Sequence, residues 1–304
     1  MSEKNYLSLN EYLHGRFGRK LYKAALSCRV TCPNRDGTAG TGGCIFCSNE
    51  GSGDFAADAE LSIYDQIEQA KKRISKKIDI NSPDRFLIAY FQSFTSTYAP
   101  VEYLTSVFYD AINHPQTAVL SVATRPDCLP EDVLDLLAEL NRIKPVWVEL
   151  GLQTSNEKTA ALINRCYPNE VYEKSVRELK KRGIEVITHV ILGLPGESRE
   201  DMLSTVRYAC NNGTNGIKLQ LLHVLKGTKL ADMEYTPLSL DEYADIVSDC
   251  ITLLPPDVVV HRLTGDGDRK KLIAPLWSTD KKNVLNTINR RISEKWSIKN
   301  DESP

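Results

Sequence analysis

Six times along this chain of 304 residues a short apolar run is followed by a loop and an amphipathic helical stretch. The runs cover 21–26, 85–91, 118–123, 146–152, 186–192 and 217–222, and 258–262 reads as a short further strand. Between them, Leu61, Ile63, Ile67, Ala70, Ile74 and Ile78 follow helical spacing. Stretches 101–112 and 169–182 are helical as well, with Gly183 suited to the end of the second. Pro130 opens a helix with Glu131 and Asp132 in its first turn, where the helix dipole favours negative charge. Ser198 with Asp201 and Ser239 with Glu242 have the spacing of helix-opening capping boxes. Strands that are apolar throughout are buried on both faces, which predicts a parallel sheet covered by helices. Six such units suit a partial, open (β/α)6 TIM-like barrel and fall short of the eight of a closed one. No low-complexity stretch or Pro/Ser-rich linker divides the chain. The expected organisation is a barrel core over 1–255 with a C-terminal helical extension over 256–304 packed on it.

Active sites in such folds gather at the C-terminal ends of the strands. The first strand ends just before Cys32-Pro-Asn-Arg-Asp-Gly-Thr-Ala-Gly-Thr-Gly-Gly-Cys44-Ile-Phe-Cys47. Three cysteines in sixteen residues, with four glycines between the first two, read as a metal or cluster site. Glycines let such a loop wrap closely and present backbone N–H groups. Two inorganic readings are open on these residues. Cys28, Cys32, Cys44 and Cys47 make a four-thiolate zinc knot, or three of them hold an iron–sulfur cluster with one iron left open.

The formal net charge of −2 argues against a globally basic nucleic-acid binder and leaves a local basic patch open. The first residues lack an apolar run behind a basic segment, and no stretch approaches the ~18–20 apolar residues of a membrane span. Eight cysteines without an export signal point to a reducing cytoplasm. Cys128, Cys166, Cys210 and Cys250 are expected to be small core residues.

Barrel and loop together resemble the radical S-adenosylmethionine (SAM) superfamily, and within it the bacterial YhcC/MnmL-like family related to elongator-type radical SAM proteins. The resemblance rests on Thr31-Cys-Pro-Asn-Arg-Asp-Gly37, Gly42-Gly-Cys-Ile-Phe-Cys47, Tyr90-Phe-Gln-Ser-Phe-Thr-Ser-Thr-Tyr98, Ala123-Thr-Arg-Pro-Asp127, Glu149-Leu-Gly-Leu-Gln-Thr154, Gly193-Leu-Pro-Gly-Glu197 and His261-Arg-Leu-Thr-Gly-Asp266. It implies a 4Fe–4S cluster on Cys32, Cys44 and Cys47, with SAM on the open iron and Cys28 left over as a packing residue. The eleven-residue gap between the first two cysteines departs from the usual superfamily spacing of three and is shared with the family resembled. Also implied are reductive SAM cleavage to a 5′-deoxyadenosyl radical and an external one-electron donor such as flavodoxin or ferredoxin. Cofactor and radical carry the chemistry, so no side chain is assigned as catalytic.

Phe46 is implied to pack on the SAM adenine, and Gly193 and Pro195 to present backbone to it. Gln92 and Ser93 stand where many relatives carry a Gly-Gly-Glu segment for the SAM amino group. Glu149, Gly151 and Gln153 share the strand face opposite Val148, Leu150 and Leu152, so Glu149 and Gln153 should point into the barrel toward SAM or substrate. Arg125, Asp127, His223 and Lys226 follow strand ends and are candidate substrate contacts. His189, inside a strand, reads as a core histidine.

The substrate implied is tRNA, whose wobble 5-carboxymethylaminomethyluridine would lose its carboxymethyl part to give 5-aminomethyluridine. Near the chain end, Lys270, Lys271, Lys281, Lys282, Arg290, Arg291, Lys295 and Lys299 accompany Trp277 and Trp296. Val284, Ile288 and Ile292 lie at helical spacing there, so the cations form the outer face of an amphipathic helix, either a solvated face or a phosphate-contacting one. Two rival readings are a zinc-stabilised RNA-binding protein without catalysis and a non-catalytic SAM- and cluster-binding sensor.

Overall fold

A computed structural model describes residues 5–48, 51, 56–77, 79, 84–265 and 267–301. In chain order the elements are α1 (Leu9–Phe17), β1 (Tyr22–Leu26), α2 (Ile63–Ile74), β2 (Leu87–Phe91), α3 (Val101–Asn113), β3 (Thr117–Thr124), α4 (Glu131–Ile143), β4 (Val146–Gln153), α5 (Glu157–Leu162) and α6 (Asn169–Lys181). Then follow β5 (Glu185–Leu192), α7 (Arg199–Asn211), β6 (Gly216–Leu221), β7 (Val224–Leu225), α8 (Leu240–Thr252), β8 (Val259–Arg262), β9 (Leu272–Ala274) and α9 (Lys281–Asp301).

Seven parallel strands form one curled half-barrel in the order β1-β2-β3-β4-β5-β6-β8. The partial TIM-like barrel expected from the repeats is what folds, with the short strand after Pro256 as its seventh member. Its outer side chains and the covering helices build the core: Leu26, Phe91, Val122, Val148 and Leu150 pack with Ile67, Phe108, Leu137 and Tyr172. Capping boxes open α7 at Ser198/Asp201 and α8 at Ser239/Glu242, and Gly183 takes φ 68° just after α6. Ile78 and Asp266 lie outside the described residues, as does the side chain of Lys299.

Four elements escaped the sequence analysis. Helix α1 opens with its own capping box, Ser8 with Glu11. It lies across the N-terminal ends of the strands, with Leu13 buried, Tyr12 against the Trp147 ring at 6.2 Å, and the Tyr12 hydroxyl donating to Glu185 at 2.8 Å. The lower end of the barrel is thus plugged. The short α5 follows β4, and β7 and β9 pair antiparallel as a lip beside the upper end.

Helix α9 packs Val284, Ile288 and Ile292 against the barrel core. Its basic face is partly neutralised by α8: Arg291 pairs with Asp241 and Asp245, and Lys295 with Asp249. Trp277 donates its indole N–H to the Leu238 carbonyl at 3.0 Å. Arg291 and Lys295 are thus engaged in ion pairs with α8, which favours the solvated, barrel-packed face over the phosphate-contacting one at these two residues.

Candidate active site

The loop after β1 bends back over the strand ends, with positive φ at Gly37, Gly42 and Gly43. It is pinned to the segment that follows α5. Asn164 donates to the carbonyls of Thr41 (3.1 Å) and Gly43 (2.8 Å), and the Ile45 N–H reaches the Ile163 carbonyl at 3.2 Å. Asn34 bonds the Asn164 carbonyl and approaches Cys44 Sγ at 3.6 Å. Asn164 and Cys166 both adopt left-handed backbone, φ 57° and 64°, to make this contact. Cys166 is therefore exposed beside the loop, which corrects its assignment to the core; Cys128 and Cys250 are buried as expected.

Cys32, Cys44 and Cys47 line one wall of a cavity of about 280 Å³, together with Phe46. The inner sheet face supplies the rest: Tyr90 and Gln92 from β2 and its end, Glu149 and Gln153 from β4, His189 from β5, and Lys218 from β6. Arg125 and His223 also line it, whereas Ser93, Asp127, Lys226, Gly193 and Pro195 are outside the lining. Asp127 is held by Arg125 through two bonds of 2.9 and 2.6 Å. Ser93 is buried, its carbonyl 3.4 Å from the Ser96 hydroxyl. Gly193 is covered by Tyr235, whose hydroxyl donates to its carbonyl at 2.6 Å. Lys226 sits exposed on the lip.

Cys28 stands apart from the other three thiols. It is buried in the core behind β1, with its Sγ 3.9 Å from the Ser96 carbonyl. Burial pushes its thiol up to about 12, which keeps it protonated. The four-thiolate knot is thereby replaced by a three-thiol wall.

Gln153 adopts φ 67° at a register shift in β4, and its buried side-chain oxygen has no hydrogen-bond partner among the described residues. An orphaned acceptor in the wall of a cavity calls for a donor from a ligand. The donor set fits the implied cofactors: three soft thiols, a glycine-rich loop, and that acceptor line one cavity. Among the described residues no three His, Cys, Asp or Glu side chains converge closely enough to hold a single ion. A cluster takes each thiolate on a different iron and needs no such convergence.

At the floor, Glu149 is 1% exposed. Its carboxylate accepts from Ser121 (2.9 Å), Lys23 (3.3 Å), His189 Nε2 (2.7 Å) and Lys218. Burial pushes this carboxyl up, but Lys218, Lys23 and His189 outweigh it and hold it well below the usual carboxylate range. Burial and Lys218 press His189 down to about 4, so it is neutral, and burial drives the neighbouring His261 well below its ordinary range. Sequence reasoning missed Lys218. It lies between Ile217 and Leu219 on the inward face of β6, and the alternation that flagged Glu149 would have flagged it.

These shifts predict acid sensitivity. Between pH 6.5 and 4 the unfolded chain protonates His189 while the folded chain does not, so stability falls as pH falls through that window. The loss from His189 alone is about 3 kcal/mol, and His261 adds in the same direction. Urea unfolding at pH 7.5 and 4.5 measures the drop, which His189→Gln should reduce.

The Radical SAM superfamily profile matches residues 35–209, and a Radical_SAM C-terminal domain profile matches 214–294. The chain belongs to the radical SAM superfamily. The radical SAM chain is 44% identical over 302 residues to YtqA of Bacillus subtilis, covering 97% of itself and 92% of that protein. It is 37% identical over 284 residues to YhcC of Escherichia coli, covering 92% and 89%. A tRNA uridine(34) acetyltransferase of Methanocaldococcus jannaschii is 27% identical over 154 residues, 48% of this chain and 28% of that one. Among solved structures, the Elp3 of Methanocaldococcus infernus superposes with TM-score 0.69 at 17% identity, over 90% of this chain and 63% of that one, which shows a shared fold. The cofactors of this radical SAM chain are a 4Fe–4S cluster and SAM. No helix among its described residues is long and apolar enough to cross a membrane.

Proposed function

We propose that this chain cleaves SAM reductively and modifies the wobble uridine of tRNA, converting 5-carboxymethylaminomethyluridine to 5-aminomethyluridine. The observation that carries the enzyme reading is a cavity lined both by Cys32, Cys44 and Cys47 and by the buried polar groups Glu149, His189 and Lys218. The tRNA part leans on the partial match to a tRNA uridine(34) enzyme and on the family likeness.

In this reading Cys32, Cys44 and Cys47 hold the cluster, and the Asn34–Asn164 contact fixes the loop that presents them. When bound, cluster and SAM supply one-electron cleavage of a C–S bond and a carbon radical that takes a hydrogen atom from substrate. Phe46 offers an aromatic face to the adenine, and Gln153 an acceptor to a ribose hydroxyl or ammonium group. Arg125, kept in place by Asp127, brings a cation to the mouth. The plugged lower end and the apolar strand packing exclude water from the interior. An external electron donor of flavodoxin or ferredoxin type completes the system.

Anaerobically reconstituted protein with dithionite and SAM is expected to form 5′-deoxyadenosine. Protein with a verified full cluster that forms none overturns the enzyme reading. Nucleoside mass spectrometry of tRNA from a deletion strain should show 5-carboxymethylaminomethyluridine accumulating, and unchanged wobble uridines would remove this substrate.

A further inference from the structure

We propose that the floor of the cavity is a carboxylate-binding subsite, in which Lys218 receives an anionic group of the substrate. It deepens the function proposed above, whose substrate ends in a carboxylate, and rests on that reading for the identity of the group.

The argument is a count of charge and protons. Two ammonium groups, Lys23 and Lys218, stand near the Tyr90 ring, 4.3 and 4.5 Å from its centroid, and share the single carboxylate of Glu149. Glu149 already accepts from four donors, so its capacity is filled. Beside the Glu149 carboxylate, His189 and His261 are neutral, and Tyr90 contributes an uncharged phenol. At Glu149 two cations thus face one anion, Lys218 fully buried and Lys23 partly exposed.

Lys218 is 2% exposed along its side chain; burial holds it well below the usual lysine range, Glu149 pulls the other way, and as the partner of that carboxylate its ammonium carries three protons. Glu149 takes one and the Tyr90 oxygen, at 3.1 Å, accepts a second. The third has no acceptor among the described residues, and Lys218 faces the cavity. A buried ammonium short of one acceptor beside a surplus of positive charge is completed by a carboxylate. Glu149 and Gln153 pair with Ile187 and Val190, three residues apart on β5, so Glu149 lies about 10 Å deeper along the barrel. A group reaching this floor is a slender arm inserted from the mouth, which a carboxymethylaminomethyl substituent is.

The test uses the reconstituted full chain, with and without saturating SAM. N-acetylglycine and N-acetylglycinamide, alike in shape and different in charge, are titrated at constant ionic strength while the thermal midpoint is read. The acid should raise the midpoint and the amide should not. Lys218→Met should erase the difference and Lys218→Arg should keep it. If Lys218→Met does not fold, the acid–amide comparison in the wild type and in Lys218→Arg still decides. Binding of 5-carboxymethylaminomethyluridine over its carboxamide should favour the acid about tenfold or more in the wild type. Equal effects of acid and amide in the wild type overturn the subsite, as does a preference that survives Lys218→Met. A preference abolished by SAM overturns it too, because the floor then serves the cofactor's own carboxylate. A retained acid preference in a protein whose deletion leaves wobble uridines unchanged supports the subsite and rejects only the tRNA reading.

Discussion

Alanine at Cys32, Cys44 or Cys47 is expected to take iron after anaerobic reconstitution from about four per chain to near zero, and 5′-deoxyadenosine formation to background. Cys28→Ala should retain both. The contrast follows from position: three thiols share a cavity wall, while Cys28 lies in the core against the Ser96 carbonyl with its thiol protonated. Its loss removes a small buried group, at a cost of about 1–2 kcal/mol in stability. Iron assay, the absorbance of the reconstituted protein and product analysis read the four variants side by side. Iron lost equally from Cys28→Ala and Cys32→Ala, with one zinc in the wild type, would restore the four-thiolate knot.

Glu149→Ala should be the most destabilising single change in the barrel interior. It leaves Lys218 buried beside a missing carboxylate, takes a partner from the half-buried Lys23, and strips Ser121 and His189 of an acceptor. Removing one partner of a buried ion pair costs about 3–5 kcal/mol, because the remaining charge stays desolvated. Glu149→Gln keeps an oxygen for Ser121 and should cost less. The comparison at pH 7.5 is informative, since the depressed carboxyl of Glu149 is ionised there and its stabilisation is lost only as pH falls through its folded value. A loss below 1 kcal/mol in urea unfolding would mean that the lysines find water at once.

Much of this was legible in the residues, for definite reasons. Apolar runs with period-two alternation placed Glu149 and Gln153 on the inner face of β4, where the structure has them. The capping residues Ser198 and Ser239 marked helix starts because their chemistry is local. Ser8 with Glu11 carried the same signal for α1 and was passed over, although that helix plugs the barrel. Lys218 was hidden by habit, since a lysine amid Ile217, Leu219 and Leu221 reads as a blemish in an apolar strand until it is given a side. The left-handed turns at Asn164 and Cys166 were beyond reach. They exist to meet the cysteine loop, more than a hundred residues earlier in the chain, and no local pattern encodes that meeting.

Because α1 stops the barrel from below, the chamber is reached from its upper end, beside the cysteine loop. Incoming reactant and spent fragments then share that end. Whatever reaches deepest has to arrive early and leave late, so turnover in this molecule should follow a strict queue, with each departing piece able to obstruct the next arrival.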